Sequence, residues 1–410
     1  MEFETFNLTD LYTISSGLSK NRKYFGTGTP FLTFKDVFDN LILPNEFSGQ
    51  VITEEKEREK YSVKKGDLFL TRTSEKQNEL GISAVALKDY KNATFNGFTK
   101  RLRPNKYCEN KLLPVYAAFY FRSNNFRNQV NSMSIMSTRA SLNNEMISKL
   151  KITIPSLQNQ MKISHILLAL LKKEKINQKI IAILEELSQT LFKHWFVDFE
   201  FPDENGNPYK SSGGEMIDSE LGEMPLSWKV HKLNDIFKIN YGKNLPTKKI
   251  LNTGYPVFGG NGIIGYYSSY MYENPKILIS CRGAASGKIH ISKEKSFVTN
   301  NSIVLNEKQK NYFYYFKELF KYNDFKRYTT GSAQPQITIA NIKDLMYLTP
   351  DTNIIDQFNS KISSLFNQKN NYEDENQNLT QLRDTLLPKL MSGEIEIPDD
   401  IEVNEDELSI

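Results

Sequence analysis

Cysteine is nearly absent. Cys108 and Cys281 are the only two among 410 residues, too few for a disulfide framework or a cysteine-based zinc site. Histidine is scarce too: His165, His194 and His231 do not cluster with cysteines or carboxylates, and His290, near Cys281, belongs to the alternating run Ile289-His290-Ile291 and is expected to face outward on a strand, so no metal centre is expected. No apolar run approaches the ~20 residues of a bilayer span. Met1-Glu2-Phe3-Glu4 lacks the basic-then-apolar pattern of a secretory signal. The expectation is a cytoplasmic protein with no membrane contact. Catalytic signatures are also missing. There is no Asn/Asp-Pro-Pro-aromatic run, and no Pro-Asp is followed within about 30 residues by Glu-x-Lys. Gly260-Asn261-Gly262-Ile263-Ile264-Gly265 spells a dinucleotide fingerprint, but Tyr266-Tyr267-Ser268-Ser269-Tyr270 follows it, which is poor helix material. Gly283-Ala284-Ala285-Ser286-Gly287-Lys288 is one residue short of a P-loop, with Ile289 where Ser or Thr must bind magnesium. The chain reads as catalytically empty.

What is present is a repetition. Leu8-Thr9-Asp10-Leu11-Tyr12-Thr13-Ile14-Ser15-Ser16-Gly17 returns as Leu233-Asn234-Asp235-Ile236-Phe237-Lys238-Ile239-Asn240-Tyr241-Gly242, at an offset of 225. Gly28-Thr29-Pro30-Phe31 is answered by Gly254-Tyr255-Pro256-Val257 at 226. Tyr120, Phe121, Ser137, Ile147, Leu150, Pro155, Leu187 and Leu191 are answered at 195 by Tyr315, Phe316, Ser332, Ile342, Leu345, Pro350, Leu382 and Leu386. Two units of about 200 residues are too few and too large for a solenoid. They predict two similar domains related by pseudo-symmetry.

Each copy opens with a long segment holding short strand patterns, such as 67–71, 82–87, 276–280 and 302–305, and an aromatic helix near 114–127 or 310–322. Each closes with Pro155 or Pro350, a capping Ser156 or Asp351, and a long helical pattern. One seam reads Ile163, Leu167, Leu170, Glu174, Asn177, Ile181, Leu184, Leu187 and Leu191. The other reads Phe358, Ile362, Leu365, Lys369, Tyr372, Asn376, Leu379, Leu382 and Leu386. The 3.5-residue period is that of a coiled coil, and a two-fold relation makes the pair antiparallel. The fold expected is mixed α/β: two pseudo-symmetric globular α/β domains separated by two long antiparallel coiled-coil helices. Its parts are a first globular domain 1–152, a central helix 153–199, a linker 200–228, a second globular domain 229–350, a C-terminal helix 351–393 and an acidic tail 394–410.

The net charge of +4 is unevenly spread. No basic residue follows Lys389, whereas eight acidic ones do, so residues 1–393 carry +12. A basic body suggests a polyanion partner. The candidate DNA-contacting residues lie in segments expected to be loops. In copy one they are Lys20, Arg22, Lys23, Arg72, Lys100, Arg101 and Arg139, with Arg103 beside them. In copy two they are Lys243, Lys248, Lys249, Asn261, Arg282, Ser286, Lys288 and Gln334, with Lys326 and Arg327. Arg72 and Arg282 are paired as arginines at strand ends. Arg139 and Gln334 are matched at offset 195, and Arg favours guanine while Gln favours adenine in the major groove.

Leu382-Arg383-Asp384-Thr385-Leu386-Leu387-Pro388-Lys389-Leu390-Met391-Ser392-Gly393-Glu394-Ile395 resembles the C-terminal motif of the DNA specificity subunits of type I restriction-modification systems. Phe192-Lys193-His194-Trp195-Phe196-Val197-Asp198-Phe199 resembles their central motif, and Leu221-Gly222-Glu223-Met224-Pro225-Leu226-Ser227-Trp228 the entry to their second recognition domain. Pro155, Leu157 and Gln160 match the start of their first long helix, although Asn159 stands where the family usually has Glu. The resemblance covers essentially the whole chain. It implies a non-catalytic subunit that reads a split target in double-stranded DNA. It also implies docking to two methyltransferase subunits and to restriction/translocase subunits. S-adenosylmethionine, ATP and magnesium would belong to those partners, with no cofactor here. The sequence also admits two other readings: a free-standing nucleic-acid-modifying enzyme, and a coiled-coil adaptor without DNA contact.

Overall fold

The computed structural model describes residues 2–74, 79–133, 140–308, 311–331, 334–398, 401 and 403. The chain forms two compact units, Met1–Asn177 with Asp374–Ile410, and Gln178–Glu373. The division falls inside both long helices.

The two units carry one strand framework in one register. In the first, a four-stranded sheet runs Tyr12–Ser16, Thr99–Pro104, Leu68–Thr71 and Ser83–Val85; in the second it runs Phe237–Tyr241, Ser302–Glu307, Ile277–Ser280 and Ile289–Ile291. Arg101 pairs with Ser15 and Phe69, and Val304 pairs with Asn240 and Leu278. The opening strand pairs with the strand before the long helix in both: Asn7 with Lys151, Lys232 with Met346. These pairs show where the first copy is longer. The offset is 226 at Phe31/Val257, 209 at Phe69/Leu278, 203 at Arg101/Val304 and 195 at Lys151/Met346. The largest insertion therefore lies between Phe31 and Phe69. It holds the helix Phe34–Asp39, where the second unit makes a two-residue hairpin turn.

The repeated residues have matched physical roles. Leu8 and Leu233 are fully buried. The Asp10 and Asp235 carboxylates accept the backbone N–H groups of Asn7 and Lys232, capping the short turn that follows. A Cβ on Gly17 would stand 2.0 Å from the Asn96 carbonyl oxygen, and one on Gly242 would stand 2.2 Å from that of Thr299. Gly28 and Gly254 adopt φ of +114° and +120°, the left-handed region that favours glycine. The Tyr120 hydroxyl accepts the Thr153 N–H at 2.9 Å, while the Tyr315 hydroxyl donates to the Leu348 carbonyl at 2.8 Å. Each aromatic helix is thereby tied to the strand that leads into a long helix.

The long helices are Leu157–Phe192 and Thr352–Ser392. Asp351 caps the second through its carboxylate, 3.1 Å from the Ile354 N–H, and Ser156 faces the Asn159 N–H at 3.4 Å. Within the first unit they pack antiparallel: Arg383 Nη1 donates to both carboxylate oxygens of Glu174 (2.9 and 3.2 Å), and Asn177 donates to Asn376 at 3.0 Å. Within the second unit, Lys369 meets Glu185 at 2.5 Å. The polar interruptions Glu174, Asn177, Lys369 and Asn376 are thus partnered in the seam. The seam departs from expectation at one step. Leu187 and Leu382 are 50% and 46% exposed, whereas Ser188 is buried and Arg383 faces Glu174. The strict four-three alternation continues past Leu184 and Leu379, so the next inward positions are 188 and 383.

Two further expectations are corrected. The aromatic helix of copy one is two helices, Pro114–Tyr120 and Asn124–Met133. The 200–228 segment is more than turn and loop. Met216–Ser219 pairs antiparallel with Gly222–Pro225, and Phe201, Met224 and Trp228 are buried in the second core. The acidic tail beyond Pro398 lies largely outside the described residues, but Ile395 and Ile397 pack on the first core.

Gly17→Ala and Gly242→Ala are each expected to destabilise the chain by roughly 1–3 kcal/mol, because backbone must move to admit the methyl group. Gly260→Ala, whose added Cβ meets nothing closer than 3.5 Å, should change stability little. Urea denaturation of the three variants checks this; equal effects would show that the close approach does not constrain the framework.

Candidate nucleic-acid interface

The dinucleotide fingerprint resolves into a hairpin. Tyr255–Gly259 and Gly262–Tyr267 are antiparallel, Gly259 faces Gly262, and Gly260-Asn261 make the turn. A strand, not a helix, follows the glycines, so no helix N-terminus meets a pyrophosphate. The P-loop-like stretch is a short 3₁₀ turn, Gly283–Ala285, leading into the strand Ile289–Ile291.

The second unit brings most of its candidate residues together. Asn261, Arg282, Lys288 and Asn301 line one open concavity of about 480 Å³, together with Gly260 and Gly283–Ala285. Lys288 Nζ donates to Asn261 Oδ1 at 3.0 Å, which orients the amide. Arg282 is exposed and its backbone is bridged to Gln336, while Gly283 N–H donates to the Pro335 carbonyl. The exposed Gln334 therefore lies just beyond this pairing. Ser286 is 3% exposed, with a buried hydroxyl that finds no hydrogen-bond partner among the described residues, and it belongs to the turn's interior. His290 lies behind the hairpin turn. Burial and the Lys288 charge push its imidazole below the ordinary pKa, against a hydrogen bond with the Gly260 backbone that raises it. Lys243, Lys248 and Lys249 are exposed, the last two on the turn Thr247–Lys249.

The first unit uses much of its positive charge internally. Lys100 and Arg101 do not lie in a loop but in the strand Thr99–Pro104, and both are 6% exposed. Lys100 donates to Ser16 and Asn144, each at 2.8 Å, and burial followed by the Arg72 charge lowers its pKa. Arg101 donates to the Ser62 carbonyl at 2.7 Å and lies over the Phe95 ring. Arg103 makes a two-point contact with the buried carboxylate of Asp67. Lys20 is bonded to Glu57 at 2.6 Å and to the Ile52 carbonyl. Arg22 and Lys23 are exposed on a 3₁₀ turn, Lys23 over the Tyr24 ring. Arg72 borders a cavity of about 560 Å³ walled by Phe25, Phe31, Phe34 and Phe98. Arg139 lies outside the described residues.

Arg72 and Arg282 are not equivalents. Arg72 N–H donates to the Phe98 carbonyl and Cys281 N–H to that of Asn301, so Arg72 matches Cys281 and Arg282 matches Thr73. A slip of one residue in extended chain points the side chains to opposite faces. The same frame matches Phe98, 65% exposed, with exposed Asn301. Sequence reasoning missed both. The offset of 203 across the adjoining strands was the signal that could have paired them.

Comparison with known proteins agrees with this architecture. Residues 1–186 and 225–381 match the family described as the type I restriction modification DNA specificity domain, and the chain belongs to that family. The specificity subunit of the type I restriction enzyme MjaIX from Methanocaldococcus jannaschii is 24% identical, over 97% of this chain and 94% of its own length. That of HindI from Haemophilus influenzae is 24% identical, over 89% of this chain and 94% of its own. The crystal structure of a type I restriction-modification S subunit from M. genitalium shares the fold, with a TM-score of 0.64 at 16% identity, covering 95% of this chain and 96% of that one.

Arg282→Ala is expected to weaken binding to the cognate duplex by ~1–3 kcal/mol, as for loss of a bidentate base contact. Lys248→Ala should weaken binding to every duplex and reduce the salt slope by about one. Arg101→Ala should lower stability and leave the salt slope unchanged. Fluorescence anisotropy titrations at several salt concentrations separate these; a uniform loss from all three would refute the division into readers, positioners and internal cations.

Proposed function

We propose that this chain is the DNA specificity subunit of a type I restriction-modification complex. Each unit reads one half of a split duplex target, and the chain itself does no chemistry. The observation that carries this reading is one strand framework, in one register, presented twice with different loops. Phosphate contacts from Lys243, Lys248, Lys249, Arg22 and Lys23 position the chain, and Asn261, Arg282, Asn301 and Gln334 face bases. The expected partners are two methyltransferase subunits and restriction/translocase subunits, which supply S-adenosylmethionine, ATP and magnesium. A free-standing modifying enzyme and a coiled-coil adaptor without DNA contact are less well supported by membership in a DNA specificity family. Methylome sequencing of cells carrying the reconstituted complex tests the reading. The expected result is a bipartite motif with a fixed gap; a continuous motif, or none, contradicts it.

The helices act as a ruler in this reading. Inserting four residues after Gln178 extends the first helix by ~6 Å, equivalent to one or two base pairs at ~3.4 Å each. The gap should lengthen while both half-sites keep their bases. A variant with altered bases and an unchanged gap would show that the helices are not the ruler.

A further inference from the structure

The hairpin of the second unit carries an apolar tip that the charge argument does not use. Ile263 and Ile264, which follow Gly262 at the start of the second strand, are 42% and 47% exposed, and nearby Leu251 is 46% exposed. Two neighbouring strand residues ordinarily face opposite sides. Here the pairing slips: Phe258 faces Ile263 and Val257 faces Gly265, so Ile264 is the extra residue of a bulge. Such bulges re-aim side chains. Leu251 is bridged to Tyr266, which sets its segment along the outer edge of the hairpin. That segment also bears Lys248 and Lys249. At the tip stands Asn261, held by Lys288. The result is an apolar strip bordered by ammonium groups and ended by an oriented amide.

The charges select a polyanion as the occupant, and the isoleucines select a feature of it. The major groove is about 12 Å wide and admits a two-stranded ribbon. The apolar group it displays is the 5-methyl of thymine. We propose that this ribbon end enters the major groove and that Ile263 and Ile264 read thymine methyl groups, so that the half-site of the second unit contains a thymine recognised through its methyl. This rests on the DNA specificity reading above.

The test uses the full chain in complex with its methyltransferase subunits. The probes are duplexes carrying the motif found by methylome sequencing, with each thymine replaced in turn by deoxyuridine. A buried methyl is worth ~0.8 kcal/mol, about fourfold in affinity. At one thymine of that half-site, uracil should weaken wild-type binding about fourfold. In Ile263→Ala/Ile264→Ala the thymine-to-uracil ratio at that position should fall to about one. Ile263→Ser alone, which changes only a half-exposed side chain, should lower the same ratio and guards against a folding defect in the double variant. A half-site made only of G·C pairs, a wild-type ratio of one at every thymine, or an unchanged ratio in the variants would each overturn the proposal. If the variants instead keep the ratio and lose their methyltransferase subunits, the strip is a protein contact and the proposal is wrong. Wild-type preference for the motif over a shuffled duplex reports separately on the specificity reading. Its absence would sink that reading, whereas preference without a uracil effect sinks only this proposal.

Discussion

Each unit is closed by a piece of long helix that comes from the other half of the sequence. In the first, Leu390, Met391 and Ile397 are buried among Leu8, Ile163 and Leu167, with Leu386, Leu387 and Ile395 packed alongside. In the second, Phe192, Trp195 and Phe196 at the end of the first helix are buried with Trp228, Tyr315 and Phe358. Phe196 alone has ring centroids of Tyr315 and Phe358 within 4.9 Å. At ~1.5–3 kcal/mol for each large apolar side chain removed from water, these closures are large beside the ~5–15 kcal/mol that holds an ordinary domain folded. Neither half of the sequence, cut between the copies, contains a whole core. The motifs by which the chain resembles its family, 192–199 and 382–395, are these closing segments.

That constraint explains where variation is allowed. The strands must keep their register, because matched residues such as Gly17 and Gly242 or Tyr120 and Tyr315 fix the close approaches and ties of the framework. The segments that join the strands carry no such duty. One unit spends seventeen more residues than the other between Phe31 and Phe69, given offsets of 226 and 209 at matched strands. It places phenylalanines around Arg72 where the other places Asn261, Arg282 and Asn301 around an open hollow. Rigid scaffold with variable loops is the usual arrangement of a recognition module.

Much of the fold was legible in the sequence because the repeat reports on backbone necessity. A capping Asp, a glycine under a carbonyl and a buried leucine each leave a residue-level mark that two copies make visible. The helices were legible from their period, but the seam was misplaced beyond Leu184, since Leu187 and Leu382 look like seam residues by hydrophobicity and only geometry shows Ser188 and Arg383 turned inward. The interface was harder to read. Lysine and arginine are countable, yet Lys100, Arg101 and Arg103 serve the interior through hydrogen bonds to hydroxyls, carbonyls and Asp67. Arg72 and Arg282 looked equivalent by proximity to strand ends, and the ladder separates them by one residue. Phe98 and Asn301 escaped notice because neither carries a charge, and their matched, exposed places show only once the offset at that strand is known.

Hydrogen exchange tests the closure most directly. Leu167 is fully buried in the first core, and Leu167→Ala should lower its stability by ~2–5 kcal/mol. In that variant the amides of residues 386–392 and of the strand Leu68–Thr71 should lose protection together and by the same increment, while the strand Ile277–Ser280 keeps its protection. If residues 386–392 exchanged independently of Leu68–Thr71, or followed Ile277–Ser280 instead, the C-terminal helix would not be part of the first core and the account would fail.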